Sequence, residues 1–372
     1  MIYLDYCANT PADPRVLEAF VDAERKLIGN ANAAHAAGRE AAALLDAATG
    51  RIAAMLGAAP SELIYTSGAS EANNLAVKGI ARAQRHVGRH IITTPLEHAS
   101  VSAPLTALQE QGWEIDVVAI DRGGKIDLAH LRQLLRQDTA LLTVSAVDSE
   151  LGTIQPLAQI VEILKEFPDC KLHVDATQAV GKLPPALAGV DTMSLSAHKF
   201  YGLNGVGLLY KRDGLALEPL IHGGKSTTIY RSGTPTVALD HALAAAMAYA
   251  FSEADARLEI VKAHHAFLRT ALAAYGQVTI NSPADAVPHI LNLSVRGIKG
   301  AAFQAALAEK GVCVSVKSAC SSDGLPSRAV YAVSRDRKTA LSAWRISLSH
   351  LTTREELSEF LKIFDTCIKE LT

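Results

Sequence analysis

The chain has 372 residues, of which 49% are hydrophobic and 20% charged, and its formal net charge is −2. This is the composition of a globular protein with room for two domains around a large core. The near-neutral charge argues against nucleic acid or an anionic membrane as the main partner. No apolar run reaches the roughly 20 residues of a membrane-spanning helix, and the N-terminus lacks the basic and apolar regions of a signal peptide.

Cysteine usage indicates a reducing compartment. The five cysteines are odd in number, scattered, and without a pair separated by two residues: Cys7, Cys170, Cys313, Cys320 and Cys367. A disulfide framework or a zinc site would need paired, regularly spaced cysteines. We therefore expect a cytoplasmic protein with no metal site.

Two helix patterns open the chain, one at 14–28 behind the N-cap residue Asp13 and one ending near residue 56. Strand and helix patterns then alternate. The predicted strands are 62–66, 90–94, 115–120, 141–147, 171–175, 192–196 and 206–210. The predicted helices between them are 71–84, one ending near 111, 128–136 and 157–167. This alternation predicts an α/β fold with a mostly parallel, doubly wound sheet.

Polar residues directly follow several of these strands. They are Ser67, His98, Ser149, Asp175 and Lys199. Ligands of doubly wound sheets bind at the carboxyl ends of the strands. We therefore expect these five separated residues to meet in one site.

The last third of the chain has a different pattern. A polar link at 223–235 leads into a long helical region, 237–275. Strands are predicted at 278–281, 290–295, 312–316 and 344–349, and helices at 300–310 and 354–370. This order is typical of a smaller α+β unit.

Lys199 follows one predicted strand, and Asp175 ends the strand before it. A lone lysine in a turn is usually solvated, but a buried charged amine costs free energy unless it is neutral or bonded. A lysine that can hold an aldehyde as a Schiff base, beside an Asp that can keep a pyridinium nitrogen protonated, predicts a pyridoxal phosphate (PLP) site. The small-residue turn 67–70 before a helix start could seat the phosphate, although many such turns look similar.

Six motifs carry a family resemblance. They occur in order at 66–74, 97–98, 173–178, 196–199, 231–234 and 318–322. Together they make the chain similar, almost from end to end, to the NifS/IscS-type cysteine desulfurases of the aminotransferase class V group. The resemblance implies the fold of PLP-dependent transferases of fold type I. We expect a large domain at 12–252 with a seven-stranded sheet, and a small domain formed by 1–11 and 253–372.

The resemblance implies a role for each matching residue. Lys199 would hold the cofactor and move protons at the substrate, Asp175 would pair with the ring nitrogen, and Gln178 would bind the ring hydroxyl. His98, in a position where a surface histidine is the simplest alternative, would stack on the ring and relay protons. The remaining cofactor contacts would come from Ala69, Ser70, Ser149, Ser196 and His198, with Thr234 reaching the phosphate of the second subunit of a homodimer.

Asn30 and Arg345 would bind the substrate carboxylate, for which the planar guanidinium is well suited. A structural ion pair is the alternative for Arg345. By the same resemblance Cys320 is the nucleophile, and Lys317 nearby could favour its thiolate form. L-Cysteine would become L-alanine, and its sulfur would pass to Cys320 as a persulfide and then to an acceptor protein.

Four features depart from the usual family pattern: Ser149 replaces Asn, Ala197 replaces Gly, Lys225 lies in an altered glycine motif, and the loop 30–35 lacks a proline. Other class V enzymes, namely a selenocysteine lyase, a β-lyase or an aminotransferase, stay open as alternatives, as does a non-catalytic sulfur-relay protein. The pathway also stays open between iron–sulfur cluster biogenesis, tRNA thiolation and DNA sulfur modification.

Overall fold

A computed structural model describes residues 1–317 and 325–372 of the chain. A short strand, β1 (Ile2–Tyr3), precedes the main sheet. The main sheet consists of β2 (Leu63–Thr66), β3 (His90–Thr93), β4 (Glu114–Val117), β5 (Thr139–Ser145), β6 (Lys171–Asp175), β7 (Thr192–Ser196) and β8 (Gly207–Lys211).

These seven strands are hydrogen-bonded in the order β2-β8-β7-β6-β5-β3-β4. The pairs from β4 through β7 are all parallel, and only β8 runs antiparallel to both of its neighbours. The residues of β5, β7 and β8 are buried throughout, as in a sheet covered by helices on both faces. The predicted α/β class and the mostly parallel seven-stranded sheet are confirmed.

Helices cover this sheet and connect its strands. They are α1 (Pro14–Lys26), α2 (Ala36–Leu56), α3 (Ala69–Ala83), α4 (Ala99–Gln109), α5 (Leu128–Leu134), α6 (Leu157–Leu164) and α7 (Val237–Ser252). The side chain of Asp13 accepts a hydrogen bond from the backbone of Arg15, which caps α1 as predicted. Both α1 and α2 pack against α7.

The C-terminal part forms a second layer with its own core. Its helices are α8 (Ala254–Ala273), α9 (Gly300–Glu309), α10 (Arg328–Ser334), α11 (Arg337–Leu341) and α12 (Arg354–Leu371). Its strands are β9 (Val278–Ile280), β10 (Ile290–Val295), β11 (Val312–Cys313) and β12 (Ala343–Ser347). The order β12-β10-β9 gives an antiparallel sheet, while β11 pairs in parallel with β1. Aromatic side chains, among them Trp344, Phe303 and Phe364, fill the core between this sheet and its helices.

One strand prediction for the C-terminal part is wrong in detail, and two further features are finer than the sequence pattern predicts. The predicted long helical region 237–275 consists of two helices, α7 and α8, which meet at Glu253, a residue that pairs with Arg15 and Arg257. The predicted strand 312–316 is limited to Val312–Cys313, and beyond it Ser315 makes an isolated bridge to Arg345. The short helices α10 and α11 were not expected. The domain boundaries stay a prediction, which the two separate hydrophobic cores support.

Among residues 1–317 and 325–372, we find no helix that combines the length and the apolar composition needed to cross a bilayer.

Candidate active site

The carboxyl ends of the strands in the main sheet surround a cavity of about 330 Å³. Its lining includes all five residues that the strand pattern predicts to meet: Ser67, His98, Ser149, Asp175 and Lys199. They come from four different loops and one strand end, and only the parallel sheet brings them together.

Lys199 lies at the end of a single 3₁₀ turn that follows β7. Its Nζ donates hydrogen bonds to the carbonyl oxygens of Cys7 at 2.8 Å and Ala8 at 2.7 Å. Burial, reinforced by the positive charges of Lys182 and Arg345, lowers the pKa of Lys199 to about 8. The lowered pKa increases the fraction of neutral amine, which is the state that a nucleophilic amine or a base requires.

Asp175 is the last residue of β6 and is 5% exposed. Its Oδ1 accepts from the backbone N–H of Thr177 at 2.9 Å, and its Oδ2 accepts from Nδ2 of Asn73 at 2.8 Å. Two hydrogen bonds hold the carboxylate still while it lines the cavity. Asp175 thus places a negative charge on the cavity wall, where it can pair with a protonated ring nitrogen.

The N-terminus of α3 forms another wall of the cavity. Gly68 precedes the helix with a φ of 150°, and no side chain caps the first N–H groups there. The turn lies so close to β8 that a Cβ on Gly207 would sit 2.6 Å from Cα of Gly68. Ser70 and Ser196 add hydroxyl groups to the lining. Free N–H groups at a helix N-terminus beside hydroxyl groups make a seat for an anion such as phosphate.

His198 and Gln178 also line the cavity. Burial, helped by the nearby charge of Lys199, lowers the pKa of His198 to about 4, so its ring is neutral. Its Nδ1 lies 2.9 Å from Oγ of Ser196. The Gln178 amide is fixed at both ends, because Nε2 donates to the Cys7 carbonyl at 3.0 Å and Oε1 accepts from Nζ of Lys182 at 2.6 Å.

Arg345 lies in β12, lines the cavity and is 2% exposed. It donates to Oδ1 of Asp5 at 2.9 Å and to the carbonyl of Ser149 at 2.6 Å. Its Nε has no hydrogen-bond partner in the described part of the chain. The structural ion pair that is the alternative for Arg345 therefore exists, and Arg345 also lines the cavity.

The single chain does not bring every predicted residue into the cavity. Asn30 is exposed, and its Oδ1 accepts from the backbone of Asn32 in its own loop. Thr234 is exposed and is absent from the cavity lining. Cys320 falls outside the residues that the structure describes.

Several residues of the site carry no signal that pattern analysis could use. The backbone carbonyls of Cys7 and Ala8, which hold Lys199, belong to the N-terminal segment. Asn73 lies within the motif at 66–74, but its contact with Asp175 depends on the packing of α3 across the sheet. Glu71, Ser100, Ser145, Val147 and Thr177 also line the cavity. No group of three His, Cys, Asp or Glu side chains suited to a metal ion occurs within residues 1–317 or 325–372.

Comparison with known proteins matches residues 2–360 to the family model described as aminotransferase class V. A cysteine desulfurase IscS from Dictyoglomus turgidum is 37% identical over 375 residues, which cover 100% of this chain and 95% of the relative. A solved structure described as a NifS-like protein has a TM-score of 0.94 at 35% identity and full coverage of both chains.

A second solved structure, described as SspA in complex with cysteine, has a TM-score of 0.84 at 31% identity. It covers 95% of this chain and 100% of SspA. Together with the match of the family model and the full-length relatives, these similarities establish that the chain belongs to the aminotransferase class V family, within its NifS/IscS-type cysteine desulfurase group.

Proposed function

We propose that this protein is a PLP-dependent cysteine desulfurase, which converts L-cysteine to L-alanine and transfers the sulfur to Cys320 as a persulfide. The observation that carries the proposal is that Lys199 and Asp175 both line one cavity at the carboxyl ends of the strands. Full-length similarity to enzymes named cysteine desulfurase supports it.

The residues of the cavity fit pyridoxal phosphate. Asp175 offers a hydrogen-bonded carboxylate for the ring nitrogen, and Lys199 offers an amine of lowered pKa for the aldehyde. The N-terminus of α3 at Ala69 and Ser70, together with Ser196 and His198, would hold the phosphate. Gln178 would contact the ring hydroxyl and Ser149 the ring edge. When bound, the cofactor supplies an electron sink for the substrate α-carbon.

The chain's own residues then account for the remaining steps. Arg345 would bind the substrate carboxylate, and the family resemblance assigns Asn30 to the same group. The neutral amine of Lys199 would take the α-proton. The thiolate of Cys320 would attack the substrate sulfur, so that a sulfur–sulfur bond forms while the carbon–sulfur bond breaks with its electrons on carbon. The overall change is cysteine plus thiol to alanine plus persulfide, which needs no outside oxidant.

Replacement of Cys320 tests the sulfur-transfer step. With a thiol reductant present, Cys320→Ala should abolish alanine release from L-cysteine, because the enzyme's own thiol that takes the sulfur is removed. The matched control is Cys313→Ala, since Cys313 lies in β11 and is not part of the cavity lining. This control should keep wild-type alanine release. Alanine release that persists in Cys320→Ala would instead favour a selenocysteine lyase, whereas its replacement by pyruvate release would favour a β-lyase.

Replacement of Arg345 tests substrate binding. Arg345→Lys should raise the KM for L-cysteine by roughly 10- to 100-fold, because a charge-assisted hydrogen bond contributes about 1.5–3 kcal/mol and lysine cannot reproduce the planar fork. The control is Arg257→Lys, a buried arginine in α8 that is paired with Glu253 outside this cavity. An unchanged KM in Arg345→Lys would leave Arg345 as a structural residue only.

We also propose that the enzyme is a cytoplasmic homodimer that delivers sulfur to an acceptor protein. The exposed position of Thr234 in the single chain supports the dimer, since a residue that serves a neighbouring subunit must lie on the surface. A reducing compartment suits a mechanism that starts from a free thiol on Cys320.

A further inference from the structure

A chain of hydrogen bonds joins Asp175 to His98 behind the cavity wall. The Nδ2 amide group of Asn73 donates to Oδ2 of Asp175 and to Oγ of Ser100, both at 2.8 Å. Oγ of Ser100 in turn lies 2.8 Å from Nδ1 of His98. Asn73 is fully buried, so water cannot replace these partners.

The donor and the acceptor of each hydrogen bond in this chain can be assigned by starting from Asp175. The Asp175 carboxylate can only accept, so the Asn73 group facing it must be the amide NH₂. The contacts of the side-chain oxygen of Asn73 support this amide orientation. Its Oδ1 accepts a hydrogen bond from Oγ of Ser194 at 2.5 Å and lies 3.0 Å from Nε2 of His173. Since Asn73 donates to Ser100, the hydroxyl proton of Ser100 is free to point at His98.

A second hydrogen-bond donor determines which ring nitrogen of His98 carries the proton. The backbone N–H of Ser100, which can act only as a donor, donates a hydrogen bond to Nδ1 of His98 at 3.1 Å. Nδ1 must therefore carry a lone pair, and it receives the Ser100 hydroxyl proton as well. In a neutral imidazole the ring proton is then on Nε2, the nitrogen left for the cavity that His98 lines.

We propose that Ser100 and Asn73 are positioning residues that hold His98 with its proton on Nε2, so that His98 offers a hydrogen-bond donor to the cavity and is not a base there. This inference rests on the proposed function. It assigns the α-proton to Lys199 alone, whose amine is held by two carbonyl groups.

The charged surroundings of His98 agree with this state. Burial lowers the pKa of His98, the charge of Asp175 acts in the opposite direction, and Lys199 lowers the pKa further. Protonation at Nδ1 would also break the hydrogen bond from the backbone of Ser100. Both effects favour the neutral ring.

Long-range ¹H–¹⁵N spectra of the ¹⁵N-histidine-labelled holoenzyme test the tautomer directly. The His98 signals are identified by their loss in His98→Gln. At about pH 7.5 we expect the pattern of an imidazole protonated at Nε2 and unprotonated at Nδ1. A proton on Nδ1, in either a neutral or a charged ring, would overturn the proposal.

Ser100→Ala tests the role of the hydroxyl. Removing one donor to the Nδ1 lone pair should raise the titration midpoint of His98 by roughly 0.5–1 pH unit, the equivalent of one hydrogen bond. Ser100→Thr, which keeps a hydroxyl, should restore the wild-type midpoint, and Ser102→Ala on the same helix should not change it. A midpoint that is the same in Ser100→Ala and wild type would remove Ser100 from the proposal.

These spectra do not depend on turnover. A protein that releases no alanine, but has His98 protonated at Nε2, would refute the proposed function and leave the tautomer assignment standing. The reverse result would refute only the assignment.

Discussion

Lys199→Ala should eliminate both the covalent attachment of the cofactor and the release of alanine. The turnover rate should fall by at least roughly 10²- to 10⁴-fold, which is the contribution of a positioned proton-transfer group alone. The measurement is twofold. The visible absorption of the bound cofactor is recorded first, and after borohydride reduction the cofactor mass is sought by mass spectrometry on the peptide that contains Lys199.

Lys211 is a matched control for this experiment. It is also a buried lysine near a strand end, and its Nζ donates to the carbonyl oxygens of Arg212 and Leu215, both at 3.1 Å. It does not line the cavity. Lys211→Ala should therefore keep the absorption and the labelled peptide of wild type. A normal visible spectrum in Lys199→Ala would refute the assignment of Lys199.

Asp175→Asn should lower kcat by roughly 10- to 100-fold or more, because the neutral amide removes a charge-assisted hydrogen bond of about 1.5–3 kcal/mol to the ring nitrogen. Asp175→Ala should be more severe, since it also leaves Nδ2 of Asn73 and the backbone N–H of Thr177 without their acceptor. Steady-state alanine release and the bound-cofactor spectrum measure the two effects separately.

The control for Asp175 is a buried carboxylate at the far end of the same sheet. Asp191 is 7% exposed and accepts hydrogen bonds from the backbone of Leu172 and from Arg212. Asp191→Asn should lower the stability of the fold without a comparable change in kcat. Unchanged turnover in Asp175→Asn would mean that another group protonates the cofactor ring.

Elements with a strong local pattern could be predicted well. The strand Lys171–Asp175 and the strand Thr192–Ser196 have the predicted bounds, because each is a short buried run between polar turns. Elements whose bounds depend on residues far away in the chain could not be predicted in this way. The break between α7 and α8 has no glycine or proline to mark it, and Glu253 finds its arginine partners only in the folded chain. The strand after residue 311 is limited to Val312–Cys313, and its partner is the distant N-terminal strand β1.

The properties of the candidate site also fall into those that the sequence predicts and those that depend on the folded chain. The amino-acid sequence by itself determined the alternation of strands and helices, and therefore that Ser67, His98, Ser149, Asp175 and Lys199 meet at one sheet edge. That result depends only on hydrophobic periodicity and on the topology of parallel sheets. The Lys199 and Asp175 pattern predicted the cofactor, and family resemblance then added the reaction and the roles of the other residues.

Only the tertiary structure decided the state of these groups. The pKa of Lys199 is lowered because folding buries it beside Lys182 and Arg345. The carbonyl groups that hold its amine come from residues more than 190 positions away along the chain. The proton position that we infer for His98 depends on Asn73, which reaches Asp175 across the sheet. Protonation states and hydrogen-bond directions depend on residues that are neighbours in space, and these neighbours cannot be identified from the local sequence.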